Sequence, residues 1–332
     1  MTPAPLTDGS PRIPPEDREV RSRIGPAARR FAPLAVLISL LCAVGAIEPS
    51  FLSLYSLNVL ADESSVILIL ATGQTVVILL GGIDLSMAAV ASLASVLIAL
   101  ALPAIGPVTL VGVLALTTLI GSVQGLIHAR AQMPSFIVTL AGLGLWSGLA
   151  LIIAQTTIPV AAGYSAVGWL ERNSVGVPNL FSLALAALVV LAVALRQLPL
   201  GRYIYAIGMA ERAALLSGIR VGRVKILGFA LAGLFSGLAG MAMVARDSSG
   251  SPTIADSLLL PSIAAVVIGG TSITGGVGGL GRTFIGALTI TVLRVGFATI
   301  GLDPAYEPIA YGALVMAAVA LTIDRSKAQI VK

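Results

Sequence analysis

From Phe31 to Ile323 the chain is a string of apolar runs, most of them long enough to cross a bilayer, with its charges gathered into the joints between them. Few features restrict a fold so severely. Backbone amides and carbonyls carried into hydrocarbon find no water, so each run must satisfy them internally, and an α-helix does so within one segment. Hydropathy places runs at 31–47, 57–80, 84–102, 107–127, 135–154, 180–196, 225–245, 259–273, 283–301 and 307–323. Because a crossing needs roughly 20 apolar residues, the expected fold is an all-α integral membrane protein with about ten transmembrane helices (eight to eleven), some broken or re-entrant. Two places invite a break: 259–273 is short for a crossing, and Gly81-Gly82 interrupts 57–102.

Composition closes the alternative. Only 11% of residues are charged, where a soluble domain carries about a quarter; there is too little charge to cover a water-exposed surface. Glycine is abundant and aromatics are scarce, as expected of helices that pack closely in lipid. A single cysteine, Cys42, and a single histidine, His128, exclude a disulfide framework and any multi-Cys or multi-His metal centre.

The net charge of +5 reports orientation and gives no support to nucleic-acid binding, since the basic residues form no stripe with aromatics. Residues 1–30 are Pro-rich and charged and read as a flexible tail; the first apolar run follows too late for a cleaved signal peptide, so it is expected to remain as the first span. With that tail inside, 17 of the 20 Lys and Arg residues fall in inside segments, which is the asymmetry that the positive-inside rule demands. Both termini are then cytoplasmic, with a membrane domain over 31–325 and a short tail at 326–332. The inside segment 197–224 is basic, Gly-punctuated and amphipathic, and is the expected surface for a cytoplasmic partner. The outside loop 155–179 carries Tyr164 and Trp169, suited to an interfacial helix.

Repetition within the chain is faint. VVILLGGIDLS (76–86) and AVVIGGTSITGG (265–276) each run apolar into a Gly-Gly pair, and Gly-interrupted apolar segments mark gates and binding sites in transporters. Chance is slightly the better account of the likeness, but both segments are expected to be irregular. GVGGLGRT (276–283) has P-loop spacing with Arg282 in place of the lysine and no α/β domain around it, so it reads as a glycine turn. Any ATPase must be another chain.

Acidic residues within apolar runs are costly and usually face a cavity, a partner charge or the interface. Asp62 and Glu63 admit two readings: groups of a proton, cation or polar-solute path, or side chains at the outer interface. The second is preferred for Glu63, while Asp62 stays open. Asp84 reads as a cap on the following helix, and Arg294 needs an acid or carbonyl partner that the sequence does not identify. His128 lacks a nucleophile partner. No catalytic constellation is present, and no cofactor is expected on this chain.

Four collinear stretches then carry a resemblance: ATGQTVVILLGGIDLSMAAVASLASVL (71–97), MPSFIVTLAGLGLWSGLAL (133–151), GRYIYAIGMAERAALLSGIRVGRVKILGFALAGLFSGLAGM (201–241) and IAAVVIGGTSITGG (263–276). Together they resemble the ribose-type permeases of bacterial ABC sugar importers, over about residues 50–325. The resemblance implies ABC importer permease architecture in the inner membrane, and a transmembrane subunit that imports a monosaccharide or similar polar solute. Its partners would be two cytoplasmic ATP-binding subunits, which hold the ATP, a periplasmic or lipid-anchored solute-binding protein, and a second permease copy. Docking of the ATPase maps onto Gly208, Ala210, Glu211, Arg212, Ala213, Leu216, Ser217 and Gly218, where a short helix can lay an apolar face in a groove. Candidates for the translocation path are Asp62, Thr72, Gln74 and Asp84. The chain departs from the family's usual pattern at Asp62-Glu63 and Met87-Ala88, which bears on the identity of the solute. The competing reading is an ion-coupled secondary transporter using Asp62, Glu63 and Asp84.

Overall fold

A computed structural model describes residues 26–174 and 176–322; the tail expected before residue 26 and the C-terminal segment after 322 lie outside the described residues. Two units are distinguished, the chain up to Ala32 and the body from Pro33 onward. Thirteen α-helices follow one another among the described residues. They are α1 (Pro26–Ile47), α2 (Leu54–Leu79), α3 (Met87–Ile105), α4 (Val108–Ala131), α5 (Ser135–Ile153), α6 (Ser165–Gly168), α7 (Asn179–Gln197), α8 (Pro199–Met209), α9 (Glu211–Leu216), α10 (Val221–Asp247), α11 (Leu259–Ile268), α12 (Leu280–Thr299) and α13 (Glu307–Thr322). Helix α1 begins at Pro26, inside the stretch read as tail. Seven helices are long and apolar enough to cross a membrane: α2, α3, α4, α5, α7, α10 and α12. The protein is an all-α membrane protein.

Helices α2 and α10 occupy the centre. Every residue of α2 from Ser64 to Leu79 is buried, and α10 packs along α4, α3 and α2. Local chemistry sets the helix ends. Ser53 Oγ accepts from Ser56 N at 3.2 Å to start α2, and Pro199 opens α8, where its missing N–H is not needed. The far end of α2 and the end of α11 close in the same way. Gly81 (φ +81°) and Gly270 (φ +88°) adopt left-handed backbone. Gly81 N donates to Ile78 O and Gly82 N to Val77 O, just as Gly270 N donates to Val267 O and Thr271 N to Val266 O. This paired bonding is the Schellman cap. The two segments that share Gly-Gly therefore share a conformation, offset by one residue from the alignment of their glycines.

The broken crossing falls at α11. Ten helical residues rise only about 15 Å, half a bilayer core. The chain just before it, 249–258, is irregular, with one 3-10 turn at Asp256–Leu258. At the same end of the bundle, β1 (Ile158–Pro159) pairs antiparallel with β4 (Ser249–Gly250), and Tyr164 Oη donates to Ala245 O at 2.5 Å. The connection between α5 and α7, which also holds the small β2 (Asn173–Ser174) and β3 (Val177–Pro178) pair, is thereby fastened over the end of α10.

Candidate functional site

Two regions hold the residues singled out from the sequence. The first is the α8–α9 segment. Gly208, near the end of α8, lies against Leu79 O and Gly276 N, so close that no side chain fits. Gly276 N in turn donates to Leu79 O at 2.9 Å. Thus α8 rests where the end of α2 meets the loop between α11 and α12. Tyr205 Oη reinforces the junction by donating to Gly278 O at 3.1 Å. Burial raises the Tyr205 phenol above its ordinary range, with Arg282 opposing, so it stays protonated as that bond requires.

Helix α9 stands off this junction. Ala214 is buried, but Leu215 is 62% exposed, Leu216 89% and Met209, just before it, 74%. Glu211, Arg212, Ala213 and Ser217 are also exposed. Gly218 (φ +82°) ends the helix with N–H donation to Leu215 O, and Ile219 N donates to Ala214 O. Lys225, on the first turn of α10, holds the start of α9 by donating to Glu211 Oε1 at 2.7 Å. Its side chain is 12% exposed against 53% for Glu211. Behind this pair lies a cavity of about 300 Å³, bordered by Leu80, Gly81, His128, Ser135 and Ile273. Lys225 was visible in the sequence only as one more basic residue. Its opposite charge to Glu211, on the helix after a tight turn, was the available signal.

The second region is the interior. Asp62, Thr72, Gln74 and Asp84 do not converge on one site. Asp62 to Gln74 spans 12 residues of α2, about 18 Å along the axis. Thr72 Oγ1 is occupied by Leu68 O, one turn back in its own helix, at 2.6 Å. Gln74 is fully buried and neither amide atom has a partner. The expected cap at Asp84 is not what the structure holds. The N-cap of α3 is Ser86, and Asp84 Oδ1 accepts from Ser86 N (2.8 Å) and Ser86 Oγ (2.7 Å). A carboxylate two residues before its donor closes a local turn and leaves the first-turn amides of α3 untouched. Ser86 Oγ also lies 3.1 Å from Gln124 Oε1 on α4. Helix α5 secures the same loop, as Ile83 N donates to Ser135 Oγ (3.0 Å) and Thr139 Oγ1 to Ile83 O (3.1 Å).

Arg294 finds its partners at the opposite end of the bundle. It lies 3.5 Å from Glu63 and 3.8 Å from Glu307, while Arg246 lies 3.4 Å from both Glu63 and Asp247. Tyr311 Oη donates to Glu307 at 2.9 Å. This chain of charges borders a cavity of about 670 Å³ between α2, α11, α12 and α13. Glu63 is therefore engaged by two guanidiniums, and no relay of Asp62, Glu63 and Asp84 is assembled. Among the described residues, no group of three or more His, Cys, Asp or Glu side chains is placed to hold a metal.

The family described as "Branched-chain amino acid transport system / permease component" matches residues 57–319. The ribose import permease protein RbsC of Bacillus subtilis (strain 168) is 36% identical over 312 residues, covering 90% of this chain and 94% of its own length. RbsC of Escherichia coli (strain K12) is 36% identical over 303 residues, covering 89% and 93%. The fructose import permease protein FrcC of Rhizobium meliloti is 34% identical over 307 residues, covering 87% and 84%.

Proposed function

Because the chain belongs to this family of transport-system permease components, we propose that it is the transmembrane permease subunit of an ABC importer for a monosaccharide or a similarly small polar solute. The relatives named for ribose and fructose import support that solute class. The observation that carries the mechanism is the exposed apolar face of α9, with Leu215 and Leu216 held off the bundle on a helix too short to enter a bilayer. Such a face fits a groove on a second protein, here the cytoplasmic ATP-binding subunit. That assignment puts α8 and α9 inside, in agreement with the basic charge of 196–225. It puts the Glu63–Arg294–Glu307 cluster outside, where solute arrives from a binding protein. Two copies of the chain form the conduit.

Motion of the ATPase reaches the interior through α8. That helix touches the end of α2 and the α11–α12 loop at Gly208 and Tyr205, so displacing it biases an equilibrium between inward- and outward-open states. Gln74 is the path candidate whose polar atoms are fully buried with their hydrogen bonds unmade in this conformation. An amide kept in that condition costs about 1–3 kcal/mol, which an arriving hydroxyl relieves.

The test is reconstitution in proteoliposomes with the ATP-binding and solute-binding subunits. Uptake that needs ATP and both partners is expected. Uptake by the purified chain alone, driven by an ion gradient, refutes the assignment.

A further inference from the structure

We infer that Thr253, Asp256 and Ser257 form a water-facing station for a polyhydroxylated neutral solute, partway through the membrane at the break in the α11 crossing. The inference deepens the importer reading and rests on it for the solute class. It begins with depth. The non-helical segment after α10 turns back into the bundle and is bonded to the middle of α3. Ser251 N donates to Ser95 Oγ at 3.2 Å, Ser95 Oγ lies 3.1 Å from Ser251 O, and Ala255 N donates to Ser92 Oγ at 3.0 Å. Ser92 and Ser95 are the sixth and ninth of the 19 residues of α3, roughly 15–20 Å from its outer end. Gly250 rests on the Ser95 carbonyl, close enough to admit no side chain.

One side of this segment is thus fixed in protein: Gly250, Pro252, Ala255 and Leu258 are buried. The other side carries Thr253, Asp256 and Ser257, all exposed, with the Asp256 carboxylate also meeting the Ser92 hydroxyl of α3. Irregular backbone at membrane depth is tolerated where it is buried in protein or lines a water-filled cavity, and a carboxylate facing acyl chains is costly. The exposed side of 253–257 therefore faces water. A cavity opens onto this side at Ser257. The 670 Å³ space that begins among Glu63, Arg294 and Glu307 reaches Ser257, Leu258 and Pro261, joining the outer charged cluster to the break.

The chemistry selects the ligand. A carboxylate accepts from two hydroxyls, and Thr253 and Ser257 each both donate and accept. Nothing cationic lies on the segment to hold an anion. Three short side chains on one side of a non-helical turn match adjacent hydroxyls of a sugar or sugar alcohol. A metal cation is the competing ligand for Asp256 and is separated by the experiment.

Accessibility can be measured without knowing the solute. In the importer complex in native-like membranes, glycine ethyl ester and a water-soluble carbodiimide label carboxylates that water reaches, and mass spectrometry reads each site. Labelling of Asp256 comparable to that of surface Asp303, with Asp84 unlabelled, is expected; an unlabelled Asp256 beside a labelled Asp303 overturns the inference. In a Cys42→Ser background, Thr253→Cys and Ser257→Cys should react with a membrane-impermeant methanethiosulfonate at least tenfold faster than Ile152→Cys, which lies 81% exposed on an apolar helix face. Equal rates overturn it as well. Protection of Thr253→Cys by millimolar ribose or fructose, and not by sodium, calcium or magnesium, assigns a polyol; protection by a cation alone refutes the ligand class. Failure of the importer reading has a different signature, since the ATP-binding subunit would then fail to co-purify whatever the labelling pattern.

Discussion

Helices α4 and α10 meet through glycine on both sides, and one added methyl tests how tight that seam is. Gly121 on α4 faces Gly233 on α10, while Gly125 on α4 meets Ile226 and Phe229, and Gly237 on α10 meets Thr117 and Leu114. A Cβ on Gly121 would strike the Phe229 carbonyl, and one on Gly233 the Thr117 carbonyl. At Gly125 it would stand 2.9 Å from both Ile226 Cα and Phe229 Cβ. The obstructing atoms at Gly121 are backbone, so no rotamer change relieves the clash and the helices must part. Overpacking of this kind costs about 1–3 kcal/mol, and Gly121→Ala belongs near the upper figure. On the scaling for soluble domains, about 2–4 °C per kcal/mol, a loss near 6 °C is expected. The assay is thermal challenge of the detergent-solubilised chain followed by size-exclusion detection of the surviving monodisperse peak. Gly144→Ala and Gly148→Ala are the controls, since nothing lies within 4 Å of a Cβ at either site. They should keep or raise the midpoint, because alanine favours helix by about 1 kcal/mol over glycine. Gly121→Ala with Gly233→Ala should cost less than the sum of the two, as helices already parted accept the second methyl. A Gly121→Ala chain that melts with the wild type refutes the close seam.

Other expectations follow from single contacts. Leu216→Asp should abolish co-purification of the ATP-binding subunit while leaving membrane insertion unchanged, since the side chain touches solvent; retained co-purification refutes docking at α9. Gln74→Leu should leave the thermal midpoint unchanged or raise it, because the unpaired amide costs about 1–3 kcal/mol where it stands, yet it should lower uptake. Unchanged uptake removes Gln74 from the path. Lys225→Met breaks the ion pair that holds α9 at Glu211. It should lower solute moved per ATP hydrolysed with the ATPase still bound, and the exchange Glu211→Lys with Lys225→Glu should restore it; a wild-type transport ratio in Lys225→Met refutes a role for the pair.

What could be read beforehand followed the physics of long range against short range. Long apolar runs declare themselves, because a helix in lipid must be both apolar and continuous; hence α2 to α5, α7, α10 and α12 lie close to where hydropathy put them. The short helix from Glu211 to Leu216 was expected through the family resemblance over 208–218, with residues that suit it. Partnerships across the bundle were not. Arg294 lies 231 residues after Glu63 and 13 before Glu307, and only packing brings the three together. Asp84 carried the chemistry of a cap, but the Ser86 hydroxyl and amide, two residues on, captured it first. The shortness of the 259–273 run pointed to α11 as a partial helix, whereas the unwound segment before it was hidden. Its hydrogen bonds come from Ser92 and Ser95, more than 150 residues earlier, and no local pattern announces them.

The fastening at the C-terminal end of α10 has a mechanical corollary. There the helix is held by the β1–β4 ribbon, by the Tyr164 hydroxyl and by the Arg246 guanidinium; at the other end, its first turn grips α9 through a lysine on a flexible stem. A rod pinned at one tip and pushed at the other swings as a lever about the pinned tip. Because the glycine seam binds α4 to α10, the two should tilt as one plank, with the widest travel at the end that carries α9 and the least at the end held by the ribbon.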